Sequence, residues 1–261
     1  MCRACLLFAA PLSILVGYNT PKTDSGYTLG AITFDAIGES VDLQDIVPVF
    51  PAGTALEDKD YKFTLQTFNA SAGCAKQWWY LTEGGEEECE DGTGWYDNFE
   101  YTEKASYSFK QGEGFMFESQ FPNKSGAGYT IAGQVAKGET TIFVNGGYTL
   151  IGNIRPAQVS LQNLVPVFPE GTELEDKDYK FTLQTFNASA GCAKQWWYLT
   201  EGGAEECEDG TGWYDNFEYM EKAEYTFEPG EGFMFESQFK DIKEYETNKG
   251  AGLKFPSIIA E

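Results

Sequence analysis

The chain has 261 residues, of which 41 are acidic and 18 basic, giving a formal net charge of −23, and it contains no histidine. This acidic excess excludes a nucleic-acid binder, which needs clustered Lys and Arg against phosphates. The missing histidine excludes Ser-His-Asp and Cys-His relays, His-ligated zinc and a histidine pH switch. Aromatic residues make up 16% of the chain, which excludes an acidic disordered protein, since such chains are poor in them.

Residues 1–13 read as a secretory leader. Met1-Cys2-Arg3-Ala4-Cys5 carries one positive charge, and Leu6 to Val16 is apolar over a length too short to cross a membrane as a helix. Ile14 to Tyr18 reads equally as a first strand. Cys2 and Cys5 spell a CxxC pair, but redox pairs of that kind start a helix beside a sheet, so this one is read as incidental.

An internal repeat organises the rest. Pro48 to Phe121 recurs as Pro166 to Phe239 at a constant offset of 118, and 66 of the 74 aligned positions are identical. Gly26-Tyr27-Thr28-Leu29 recurs as Gly147-Tyr148-Thr149-Leu150, and Gly126-Ala127-Gly128-Tyr129 as Gly250-Ala251-Gly252-Leu253. The division is therefore into a first domain over 14–137 and a second over 138–261, each large enough to bury a core. The charge follows the repeat: net −9 over 48–121 and −13 over 166–239, so the acidity belongs to the repeated unit rather than to a tail.

Within one unit the signals are those of strands. Tyr61 to Thr67 alternates apolar and polar residues, the period of a half-buried strand. Ser106 to Phe109, the turn residues Gln111-Gly112-Glu113 and Gly114 to Glu118 read as a hairpin. Thr140 to Val144, Asn145-Gly146 and Tyr148 to Ile151 read as another, because Asn-Gly accepts the positive φ of tight turns. Gln77 to Thr82, Trp95 to Tyr101 and Tyr129 to Val135 complete about eight strands per unit, spaced as in sandwiches and barrels. One short helical turn is expected where Asp42 or Ser160 stands as N-cap before Leu43 or Leu161 and Pro48 or Pro166 follows. The expected fold is all-β: two tandem antiparallel sandwich-like or barrel-like domains from an internal duplication.

Each unit has one cysteine pair, Cys74 with Cys89 and Cys192 with Cys207. Even pairing suggests a disulfide and an oxidising compartment. Two buried thiols remain the alternative, and a metal site lacks further ligands. A bridge closing so short a loop contributes on the order of 3 kcal/mol.

The densest aromatic cluster is Trp78-Trp79-Tyr80 followed by Trp95-Tyr96-Asp97, repeated as Trp196-Trp197-Tyr198 and Trp213-Tyr214-Asp215. On a strand Trp79 points opposite to Trp78 and Tyr80. Both faces therefore carry large rings, either as core or as a flat platform for sugar rings. The platform reading assigns Trp79, Trp95, Tyr96 and Asp97, with Trp197, Trp213, Tyr214 and Asp215, to ligand binding. The acidic run Glu83 to Asp91 reads as a solvated loop or a weak calcium site. It does not follow EF-hand spacing, and Glu86 is replaced by Ala204 in the second unit. Asn69, Asn123 and Asn187 begin N-glycosylation patterns. A glycoside-active enzyme would need two carboxylates at a fixed separation, and nothing singles out such a pair among 41 acids.

The segments Gly147 to Asn153, Leu161 to Leu164, Gly94 to Asp97, Gly112 to Ser119 and Ala132 to Val135 resemble uncharacterised β-rich modules of exported bacterial proteins, found in tandem behind signal peptides. The resemblance spans most of each unit and breaks where the second ends in Leu253-Lys254-Phe255-Pro256. It implies an exported, non-catalytic module and carries over no functional residue. The expected function is a secreted or cell-surface structural or adhesive protein without cofactor or transmembrane segment. A carbohydrate-binding module is the alternative, and polysaccharide or other surface proteins are the expected partners.

Overall fold

The structure, a computed structural model, describes residues 16–19, 21, 23, 25–33, 40–68, 76–85, 89–97, 101–123, 125–135, 138–186, 194–203, 207–215, 219–239 and 250–257. The leader assigned to 1–13 lies outside them. Among the described residues there are strands and short 3₁₀ turns and no α-helix. None is a helix long and apolar enough to cross a membrane.

The first half runs β1 (Val16–Asn19), β2 (Gly26–Ala31), β3 (Val41–Asp42), β4 (Val47–Val49), β5 (Phe63–Gln66), β6 (Gln77–Leu81), β7 (Gly94–Asp97), β8 (Ser108–Phe109), β9 (Gly114–Ser119) and β10 (Gly128–Gln134). The second runs β11 (Thr140–Phe143), β12 (Gly147–Gly152), β13 (Val159–Ser160), β14 (Val165–Val167), β15 (Phe181–Gln184), β16 (Gln195–Leu199), β17 (Gly212–Asp215), β18 (Thr226–Phe227), β19 (Gly232–Ser237) and β20 (Gly252–Phe255). Five-stranded sheets of order β2-β9-β5-β6-β7 and β12-β19-β15-β16-β17 dominate the two halves. Three-stranded sheets β1-β10-β4 and β11-β20-β14, with the pairs β3-β8 and β13-β18, complete them.

Two expected hairpins do not form. β8 pairs with β3, and β9 pairs with β2 and β5, so the turn at Gly112 carries the chain from one sheet to another. Asn145-Gly146 does the same between β11, which pairs with β20, and β12, which pairs with β19. A tight turn reverses the chain; it does not choose the partner strand. That choice goes to apolar burial, which here draws on strands far away in sequence.

The helical turns are 3₁₀ turns at Leu43–Asp45 and Leu161–Asn163, and neither Asp42 nor Ser160 caps them with its side chain. Gln44 holds the first one instead. Its Nε2 donates to the carbonyls of Trp95 (3.0 Å) and Ala105 (2.8 Å), and its Oε1 accepts from Trp95 N–H. Gln162 makes the same three bonds around Trp213. Unpredicted 3₁₀ turns also form at Leu56–Asp58 and Leu174–Asp176.

Each half has its own core. In the first, alternation along β5, β6 and β9 sends Phe63, Leu65, Trp78, Tyr80, Phe115 and Phe117 inward against Trp95, Tyr129 and Ile131. Trp95 Nε1 donates to the Ile46 carbonyl at 2.7 Å, so the largest ring is buried without an orphaned donor. The second core repeats this with Trp213 on the Leu164 carbonyl at 2.6 Å.

The halves meet along a seam built on glycine. Gly30 bridges Glu231 and Glu113 bridges Ile151, both antiparallel, and Ala31 N–H donates to the Gly230 carbonyl at 3.0 Å. Residue 30 corresponds to 151 and residue 113 to 231. The two bridges are therefore the same contact made in both directions, as an approximate two-fold relation requires. A Cβ on Gly114 would stand 2.6 Å from Leu150 Cγ, and one on Gly232 would stand 2.7 Å from the Gly30 carbonyl oxygen. Only backbone without side chains can approach so closely.

Candidate functional site

The outer face of each five-stranded sheet carries the row Tyr27, Glu118, Thr64, Trp79, Tyr96, each aligned with the next by strand register. Tyr148, Glu236, Thr182, Trp197 and Tyr214 form the corresponding row. Gln66 Nε2 donates to the Tyr27 hydroxyl at 3.1 Å in the first. Burial, then the charge of Glu118, raises the pKa of Tyr27.

The structure divides the predicted platform. Trp95, Tyr96, Trp213 and Tyr214 are fully buried, so these four leave it: no ligand can stack on rings closed off from solvent. Tyr96 O–H donates to the Gly92 carbonyl at 2.6 Å. Burial, followed by Cys89 and Asp91, pushes the Tyr96 pKa up to about 12. Asp97 and Asp215 are exposed at the ends of β7 and β17, and Trp79 and Trp197 are half-buried on the outer face. Tyr61 meets Trp79 edge-on at 5.7 Å, and Tyr179 meets Trp197 at 5.6 Å. Both tyrosines hold φ near +60°, a left-handed conformation costly for a bulky residue, of order 1–3 kcal/mol.

Cys89 and Cys207 are half-buried and form no disulfide with another described residue. Cys74 and Cys192, with which pairing was expected, lie outside the described residues, as do Asn69, Asn187 and Glu86 to Glu88. Among the described residues no three acidic or cysteine side chains gather as metal ligands. Interior carboxylates are engaged by the fold. Asp60 accepts from Thr82 N–H at 2.8 Å, leaving room beside it only for Gly85. Glu113 accepts from Tyr107 O–H and from Lys110 N–H. Burial and then Glu113 raise the Tyr107 pKa, and Lys76 Nζ lies 5.0 Å over its ring.

Sequence reading missed a cleft of about 480 Å³ between the halves. Phe68, Lys110 and Gln111 line it from the first half, and Phe143, Asn145 and Tyr148 from the second. Among the described residues four aromatic rings are more than a third exposed: Phe68, Phe143, Tyr148 and Phe186. Three of these four are cleft walls. The Gln111 Nε2 is buried with no hydrogen-bond partner. One signal was present in the sequence: positions 110 and 111 are among the few that differ between the units, becoming Glu228 and Pro229.

Comparison with protein-family models, with curated proteins and with solved structures finds no match to this chain.

Proposed function

We propose that the chain is an exported or cell-surface, non-catalytic protein of structural or adhesive kind, built from a duplicated β-sandwich unit. The observation that carries this is the division of labour among its side chains. Interior carboxylates and amides are engaged in holding turns and strands, while the exposed aromatic rings gather where two units meet. Exposed rings, with the interior acids among the described residues engaged by the fold, support binding rather than hydrolysis. Net charge −23 keeps such a body soluble and repels anionic partners. In an oxidising compartment Cys89 would pair with Cys74 and Cys207 with Cys192; thiol counting on protein recovered from the culture medium should find none of these four free.

A carbohydrate-binding role is the second reading. It is favoured by Trp79 and Trp197, half-buried on outer faces and braced by tyrosines in a strained conformation. The test is a panel of insoluble polysaccharides, scored for retention of the protein and for release of reducing ends. Retention without release is expected of a carbohydrate-binding protein. Release of reducing ends would overturn the non-catalytic reading. No retention on any polysaccharide would remove the carbohydrate role and leave adhesion to proteins.

A further inference from the structure

The halves are related by an approximate two-fold, so a cleft on one side of the seam has a counterpart position on the other. The two are not equivalent. Where the cleft has Lys110 and Gln111, the counterpart has Glu228 and Pro229. Where it has Ile142, the matching position, at the offset that aligns Gly147 with Gly26, is Pro21. That offset is supported by structure, since Val144 N–H donates to the Ala251 carbonyl as Thr23 N–H does to Ala127. One side thus has aromatic walls with amide and ammonium donors on its lip. At the counterpart turn the base is replaced by an acid and the amide by a proline.

We propose that the cleft is a single binding site for an uncharged pyranose ring within a glycan chain, one site per molecule rather than one per repeat. This rests on the carbohydrate reading above and relocates it from the repeated Trp79 rows to the seam. Phe143, Tyr148 and Phe68 are exposed aromatic walls, and aromatic rings suit the C–H face of a pyranose. Lys110 and Asn145 on the lip are hydrogen-bond donors, and sugar hydroxyl oxygens answer both. The volume of about 480 Å³ accepts a ring or two and leaves the chain free to run out on either side. The net charge of −23 selects against uronates.

The second half supplies the variant that tests this without unfolding the protein. Lys110→Glu with Gln111→Pro copies a lip that the same turn already accepts at 228 and 229. The full-length chain is titrated calorimetrically with neutral gluco- and manno-oligosaccharides and with oligouronates. The proposal expects one site per chain for a neutral oligosaccharide and weaker binding of uronates. It also expects about tenfold weaker binding in the double variant and in Phe143→Ala, with unchanged melting temperature for the double variant. Two sites per chain, lost on Trp79→Ala with Trp197→Ala and untouched by Lys110→Glu with Gln111→Pro, would overturn the cleft and keep the carbohydrate reading. Uronates binding as tightly as neutral sugars would overturn the selection for uncharged rings. No binding to any oligosaccharide would overturn both the cleft and the carbohydrate reading.

Discussion

In the first half Gly30 lies beneath the Tyr129 hydroxyl and the Phe115 ring, where a Cβ would come within 2.4 Å and 2.7 Å of them. In the second half Ile151 and Leu253 occupy the corresponding places, and Phe255 stands where the first core has Ile131. A glycine under a large ring in one half is thus exchanged for two mid-sized aliphatic residues in the other. The same holds across the seam, where Ala31 faces Gly152; a Cβ on Gly152 would sit 2.5 Å from that of Ala31. Interiors packed to crystal density tolerate such exchanges only when volume is conserved locally. Of the eight differences within the aligned stretch, those among the described residues lie at exposed or half-exposed positions. Within the aligned stretch the halves thus differ on the surface and not in the core.

The largest expected effect probes what they share. Trp95→Ala and Trp213→Ala should each cost about 3–5 kcal/mol, and nearly the same amount, because both indoles are fully buried on the same backbone acceptor. Denaturant melts of the two variants check this; unequal costs would break the equivalence of the cores.

Gly30→Ile comes next, and it tests the exchange directly. Overpacking against Tyr129 should cost about 1–3 kcal/mol, and adding Tyr129→Leu should restore most of it, since the pair then matches Ile151 with Leu253. A double variant no better than the single would show that the exchange carries no packing meaning.

Alkaline unfolding is a smaller, shared effect. Tyr96 and Tyr214 are pushed up to about 12, and burial raises Tyr107, Tyr129 and Tyr225 as well. A tyrosine raised in the folded state holds its proton longer there than in the unfolded chain. Its contribution is complete below the ordinary value of about 10 and is lost as pH climbs from about 10 toward about 12. Tyrosinate absorbance should therefore rise in two stages, the second coinciding with loss of folded signal. A single early stage with the fold intact would contradict the burial of these rings.

Salt should have the smallest effect. Lys254 and Glu139 form an ion pair at 3.5 Å on the second half, and both side chains are exposed. With 41 acids against 18 bases, repulsion dominates, and raising salt from about 10 mM to about 150 mM, which shortens the Debye length from about 30 to about 8 Å, should raise the melting temperature slightly. A fall would mean that attractive pairs outweigh the excess charge.

Much of this fold was legible in sequence because the repeat exposed the unit and the alternation in Tyr61 to Thr67 and Gln77 to Thr82 exposed its strands. Sheet order was not, since Gly112 and Asn145-Gly146 mark reversals and say nothing of which distant strand buries the apolar face. Trp95 and Tyr96 looked like platform residues because local pattern gives two faces and not their cover. Gln44 was passed over because three hydrogen bonds to residues more than fifty positions away leave no local trace. The cleft was hidden for a deeper reason: its walls come from both halves, and Phe143 acquires meaning only when Lys110 stands opposite.

The account rests most heavily on the seam, which makes two repeated units one body. Differential scanning calorimetry of the full chain, beside Gly114→Ala, tests it. Coupling through the seam predicts one transition whose van't Hoff enthalpy matches the calorimetric one. It also predicts that Gly114→Ala, which places a Cβ 2.6 Å from Leu150 Cγ across the seam, splits that transition or lowers that ratio. A van't Hoff enthalpy of about half the calorimetric value in the parent protein, unchanged by Gly114→Ala, would mean two independent units and would contradict the account.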